Sequence, residues 1–213
     1  MLGLFSKQNT PDNFWDWFIK NKDDYAALNL IEDPKKRDKV INALGTQLGK
    51  YCKHLAWEIG NDPNGDQELI ITAEGNTEYF DKVHEIVNNA PDIQGWKITA
   101  FKQPIQEHFK SKWEESVIDT KDIAFEGTYL RDTQELGITV YLKNHETLKQ
   151  FDYVTNQVHK IIDTIIGEES YATDIQYFDL EPVPEGKHFE DYDNILELSN
   201  CVAWFKSERQ KSS

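Results

Sequence analysis

Apolar residues recur along this chain with two periods, and the points where one period gives way to the other outline its elements. Thr10-Pro11-Asp12 is a helix start: a capping hydroxyl, a proline at the first helical position and an acid in the first turn. The helix it opens carries Phe14, Trp17 or Phe18, and Tyr25 near one face, with Trp15 off that face. Asp33-Pro34 repeats the signal. Val40, Ile41, Leu44, Leu48, Tyr51 and Cys52 then follow at helical spacing. The period changes to two in LAWEIG, where Leu55, Trp57 and Ile59 alternate with Ala56 and Glu58. A turn cluster, Asn61 to Asp66, separates this strand from a second at Leu69–Ile71. Gly75-Asn76 ends the strand, and Asn76 or Thr77 caps a helix bearing Phe80, Val83 and Ile86. Pro91 lies beyond its end. Gly95 makes a close turn into a third strand with Trp96, Ile98, Ala100 and Phe101, and Trp96 is expected to be buried.

The same order returns further on. Pro104 opens a short helix through Phe109 and Trp113. Ile123, Phe125 and Tyr129 alternate as a strand, with Gly127 suggesting a bulge. Residues 131–135 turn the chain into a strand of Ile138, Val140 and Leu142. Asn144 caps a long helix carrying Leu148, Phe151, Val154, Val158, Ile161 and Ile165, which Gly167 ends. Tyr171 to Val183 supplies a sixth strand. The fold class expected is α+β: two αββαβ pseudo-repeats of the ferredoxin-like split kind, mostly antiparallel, sharing one core. Residues 1–33 form an N-terminal aromatic helix packed on that core. Residues 34–102 and 104–183 form the two halves, and 184–213 an acidic, then helical, tail. Trp204 and Phe205 are expected to pack that tail back, with fraying from Glu208.

Charge narrows the function. Lys and Arg number 23 against 38 Asp and Glu, a net charge of −15. That balance disfavours direct binding to nucleic acid, where affinity comes mainly from cations on phosphates. It favours a basic protein partner. The strongest imbalance runs from Glu168 to Glu197, where Lys187 stands alone against ten acids. Glu190, Asp191, Tyr192 and Asp193 are the candidate partner-binding residues, because the acids there sit beside Tyr192, Ile195 and Leu196 as apolar anchors. A solvated acidic face is the plainer alternative. Lys35, Lys36, Arg37 and Lys39 form one of the few basic patches, at a helix start.

Familiar chemistry is missing from the sequence. No phosphate-cradling glycine motif, zinc-protease helix or nucleophile elbow occurs. His84-Glu85 and His145-Glu146 lack a second histidine four residues on. Cys52 and Cys201 are too few for a disulfide framework or a zinc site, and Cys52 with His54 reads as a buried thiol beside a histidine more readily than as a thiol–base pair. The turn cluster at Asn61–Asp66 does not meet the calcium-loop pattern. No cofactor or metal is therefore expected, and catalytic residues cannot be named. MLGLFSKQNT is too short in apolar residues for a secretion signal, and no apolar run is long enough to span a membrane, so the cytoplasm is the expected compartment.

FWDWF (Phe14–Phe18), LAWEIG, ELIITAEGN (Glu68–Asn76) and APDIQGWKITAFKQP (Ala90–Pro104) resemble segments of an uncharacterised bacterial family of Bacteroidetes type. Its most specific piece is AP-x-x-x-GW-x-x-x-AF. ITVYL and IIGEESYATDIQYFD extend the likeness more loosely. The resemblance implies an α+β fold and no assigned activity. A remoter topological likeness is to the acidic regulators of ribonuclease E. The function these observations favour is a non-enzymatic cytosolic module that binds or regulates a basic protein. The alternatives are a small-molecule-binding domain or enzyme with its site at the seam of the two halves, and an acidic decoy of nucleic acid that blocks a nuclease.

Overall fold

The computed structural model describes residues 10–62 and 64–211. The opening segment read above against a secretion signal lies largely outside them. The chain divides into two compact units, Met1–Lys102 and Gln103–Ser213. Both are α+β. Four of their six strand pairings are antiparallel and two are parallel.

In the first unit, helix α1 (Pro11–Ala26) buries Phe14, Phe18 and Tyr25, whose rings stack in turn at 6.1 and 5.8 Å. Trp15 is also buried, contrary to the single face expected of it. Its indole Nε1 donates to the carbonyl of Ile86, 2.8 Å away. That carbonyl lies in the last turn of helix α3 (Phe80–Asn88), where carbonyls have no partner within the helix. Burying the indole satisfies both groups at once, so α1 has two buried faces rather than one. Helix α2 (Pro34–Tyr51) begins as its sequence suggests, with Asp33 Oδ1 accepting from Lys35 N at 3.0 Å, and buries Leu44 and Leu48. Strands β1 (Ala56–Asn61) and β2 (Gln67–Thr72) form an antiparallel hairpin. After α3 the chain returns as β3 (Trp96–Ala100), parallel to β2, giving the order β1-β2-β3. Gly95 takes φ +78°, a left-handed value that suits glycine, and makes the close turn into β3. Trp96 is 8% exposed and meets Phe18 edge-on at 5.0 Å.

The second unit departs more from expectation. Where a short helix was read through Phe109 and Trp113, a hairpin stands instead: β4 (Lys110–Trp113) against β5 (Ser116–Asp119). The spacing of Phe109 and Trp113 imitates a helix, while the turn, Glu114-Glu115, carries no glycine or asparagine to mark it; Glu114 nonetheless adopts φ +50°. Strand β6 (Ile123–Leu130) pairs antiparallel with β7 (Glu135–Leu142). The long helix expected from Asn144 is two helices, α4 (His145–Leu148) and α5 (Val154–Ile166). Between them Phe151 and Tyr153 stack at 5.4 Å, and Tyr153 stacks on Trp113 of β4 at 6.1 Å. Gly167 ends α5 at φ +82°. The segment read as a strand from Tyr171 starts as helix α6 (Glu168–Asp174) and becomes β8 (Ile175–Glu181), parallel to β7.

The tail contributes a two-residue strand, β9 (Asp193–Asn194), beside β6, and a final helix, α7 (Leu198–Lys211). The helix continues past Glu208. Phe205 is fully buried, whereas Trp204 is 50% exposed and only edges Tyr129. The sheet order is β8-β7-β6-β9. Leu136, Ile138, Val140 and Leu142 of β7 join Val158, Ile161 and Ile165 of α5 in one aliphatic core. Gly127 makes no bulge; its neighbours pair in regular register. The irregularity falls between Leu136 and Gly137, where a Cβ on Gly137 would lie 3.3 Å from Cβ of Tyr177. Nine strands in three sheets thus replace the six expected, among the described residues.

Candidate functional site

The tail between β8 and α7 runs back beside the first half of β6, and a cleft of about 470 Å³ opens there. Its floor is the β6 segment Phe125-Glu126-Gly127, and its walls are Pro184, Lys187 and the run Asp191-Tyr192-Asp193. The lining thus brings three acidic residues and one lysine to one cleft. Each wall residue is held by a local device. A short 3₁₀ turn, Phe189–Asp191, is closed by Asp191 Oδ2, which accepts from His188 N at 2.8 Å. The Tyr192 ring packs on Tyr141 of β7 at 4.2 Å. Asp193 stands in β9 opposite Phe125. The next residue anchors the strand: Asn194 Nδ2 donates to the carbonyls of Thr120 and Ile123, both at 3.2 Å, and its Oδ1 accepts from Leu196 N at 3.1 Å.

Behind the cleft, the Tyr141 hydroxyl donates to Glu126 Oε2 at 3.3 Å. Burial above all, with Tyr192 and Glu126 beside it, pushes the Tyr141 hydroxyl up to about 12, so it remains a donor at neutral pH. Cys201 of α7 lies beneath Gly127. A Cβ on that glycine would come within 2.9 Å of its Sγ. Burial, and secondarily Asp193, raises this thiol above its ordinary range, which makes it a poor nucleophile.

Of the four candidates named from sequence, Asp191, Tyr192 and Asp193 line this cleft, while Glu190 does not. Its carboxylate is 3.8 Å from Lys143 Nζ, and both side chains are exposed. Ile195, read as an apolar anchor beside the acids, is fully buried in the core and offers nothing to a partner. Glu126 was not singled out. It comes from a different stretch of chain, and only the pairing of β6 with β9 brings it to the same place. Nothing in its local sequence signals this.

The other chemical candidates stay apart. Among the described residues no group of three or more histidines, cysteines or acids is placed to hold a metal. His54 stacks on Tyr79 at 4.1 Å, and His84 meets Phe101 edge-on at 5.0 Å. His108 Nδ1 is 3.1 Å from the Thr120 hydroxyl. His159 bonds the Tyr171 hydroxyl and lies against Phe178. A second hollow of about 340 Å³ beside α7 is floored by Ile166 and Val202. At its rim Gln106 donates to Ile165 O and Ser199 Oγ, and Lys206 binds the buried Asp174 at 2.8 Å and Ser170 at 3.1 Å. Among the described residues no helix is long and apolar enough to cross a membrane. The chain matches no family model, and comparison with curated proteins and with solved structures returned no similar one.

Proposed function

We propose that this protein is a non-enzymatic cytoplasmic module that binds or regulates a protein partner through a basic segment, without direct contact to nucleic acid. The observation that carries this reading is the convergence of Glu126, Asp191 and Asp193 around a cleft that also presents the Tyr192 ring. Acidic residues in the floor and along one wall outnumber Lys187 and favour a cation, and an aromatic face adds contact area for a lysine or arginine stem. The net charge of −15 acts in the same direction at longer range, drawing a basic partner in. Asp191 is fixed by its bond to the His188 amide and Tyr192 by its packing on Tyr141, so the cleft needs little ordering on binding.

Two further readings belong with this one. The chain is proposed as a member of the Bacteroidetes-type family that its central segments resemble. Its two units are proposed as pseudo-repeats of one αββαβ plan, of ferredoxin-like split ancestry, with the β4–β5 hairpin standing in the second where the first has its opening helix. The support is that in each unit a hairpin is followed by helix and then by a strand parallel to the hairpin's second member.

The test uses the whole chain and a lysine-rich peptide, with binding followed by fluorescence anisotropy as salt is raised to about 0.15 M. Binding should weaken steadily with salt. Asp191→Asn/Asp193→Asn should weaken it several-fold at low salt. Glu190→Gln should bind like wild type, because Glu190 stands outside the cleft beside Lys143. Equal binding by wild type and the double variant at every salt would overturn the cleft as the docking site.

A further inference from the structure

The cleft contains an unpaired strand edge. The parity of β6 follows from two hydrogen bonds. Asp122 O accepts from Lys143 N at 2.9 Å, so even-numbered residues here turn their main-chain groups toward β7. Ile123 O accepts from the Asn194 side chain at 3.2 Å, so odd-numbered residues turn theirs toward β9. Strand β9 is only two residues long and matches Ala124 and Phe125 alone. Phe125 therefore faces Asp193, while Gly127 and Tyr129 direct their N–H and C=O groups beyond β9, where the chain that enters β9 bends at Tyr192 into the cleft wall and no strand stands among the described residues. Gly127 is exposed, and it lies in the floor of the cleft.

We propose that an extended basic segment of a protein partner adds to this edge as a strand, antiparallel to β6 and in line with β9. This rests on the reading of the cleft given above and supplies its binding mode. What distinguishes this edge from the others is that β9 already holds its first residues in strand geometry, and the cleft opens beside Gly127 where that pairing stops. Main-chain bonds to Gly127 and Tyr129 supply affinity, and side chains alternating on the added strand supply selectivity. Facing residues of paired strands share a face of the sheet. Residues opposite Gly127 and Tyr129 therefore point to the face that α7 covers, near Cys201 and Trp204, and are apolar. Residues between them point to the outer face, where Glu126 and Thr128 are exposed, and are lysine or arginine. The partner's segment thus alternates basic and apolar residues and lacks proline at the bonded positions.

The experiment uses the full-length protein with three short peptides of alternating lysine and valine. One is unmodified, one carries N-methyl groups on the valine nitrogens, and one on the lysine nitrogens. Strand addition in the stated register predicts that valine methylation weakens binding about tenfold, while lysine methylation leaves it near the unmodified value. Hydrogen exchange at the Gly127 and Tyr129 amides should slow when the unmodified peptide binds. Equal binding of all three would overturn strand addition and leave the acidic docking site standing. Loss with lysine methylation instead would overturn the antiparallel register. No binding by any peptide would overturn the acidic cleft itself, and strand addition with it. Protection of both amides without peptide, rising with protein concentration, would assign the edge to a second copy and overturn the proposal.

Discussion

In the first unit rings share the core with aliphatic side chains such as Leu44, Leu48, Leu69 and Ile71; in the second the core is almost wholly branched aliphatic. Phe14, Trp15, Phe18, Tyr25, Phe80, Trp96 and Phe101 are all buried in Met1–Lys102, and they meet in stacked, tilted and edge-on pairs. In Gln103–Ser213 the core is chiefly Ile, Leu and Val, seven of them from β7 and α5 alone being cited above. Yet both units run hairpin, helix, parallel strand. Element order is thus indifferent to which apolar side chains fill the core, provided that the period is right. The difference lies in tolerance. A ring has few orientations that fit its neighbours, and an indole needs a partner for its N–H, as Trp15 finds on Ile86. Aliphatic chains of similar volume exchange at smaller cost.

The largest effect that sharpens this contrast is truncation of a ring in the first unit's core. Trp96→Ala is expected to lower the stability measured in urea by about 3–5 kcal/mol, since the ring is nearly enclosed and its edge contact with Phe18 goes with it. A denaturant midpoint near the wild-type value would show that the aromatic core repacks as freely as an aliphatic one.

The hairpins supply a second comparison of intermediate size. Gly60 in β1 has nothing within 4 Å of a built Cβ, whereas Gly127 in β6 has the Cys201 sulfur at 2.9 Å. Gly127→Ala is therefore expected to cost about 1–3 kcal/mol by overpacking. Gly60→Ala should be neutral or stabilising by about 0.5 kcal/mol, because alanine narrows the unfolded chain's freedom. Adding Cys201→Ala to Gly127→Ala should return part of the loss, which a double-mutant cycle measures. A cost at Gly60 equal to that at Gly127 would remove the distinction between the two strands.

The smallest effect concerns pH. Desolvation by burial lowers the pKa of His159, which lies among Tyr171 and Phe178. The folded state thus prefers the neutral ring, and the unfolded chain binds the proton more readily. Stability is unaffected while both states are neutral, and falls as pH drops below about 6.5, the ordinary histidine value. His159→Gln should flatten this part of the urea-midpoint profile between pH 7 and 5. The same slope in wild type and variant would place the acid sensitivity elsewhere.

Local signals carried much of this. Thr10-Pro11 and Asp33-Pro34 start helices because a capping residue and proline suit the first turn whatever lies around them. Gly95 turns the chain into β3 because its φ is left-handed, and Trp96 is buried because its strand period points it inward. Where signals conflicted, contacts decided. Glu114-Glu115 turns a hairpin without a turn residue, and the expected helix is broken where Tyr153 stacks on Trp113, in a strand whose spacing imitates a helix.

The acidic run around Asp191 is plain in the sequence, since charge is a property of composition and needs no fold. Which of those acids stand together is not. Asp191 and Asp193 meet Glu126 only because β9 pairs with β6, about seventy residues away in the chain, while Glu190 turns off to Lys143. The open edge at Gly127 and Tyr129 is likewise a consequence of where β9 stops. Periodicity and capping act within a few residues and are written in the chain itself; pairing between distant strands depends on how the cores close, and only the tertiary structure decides it.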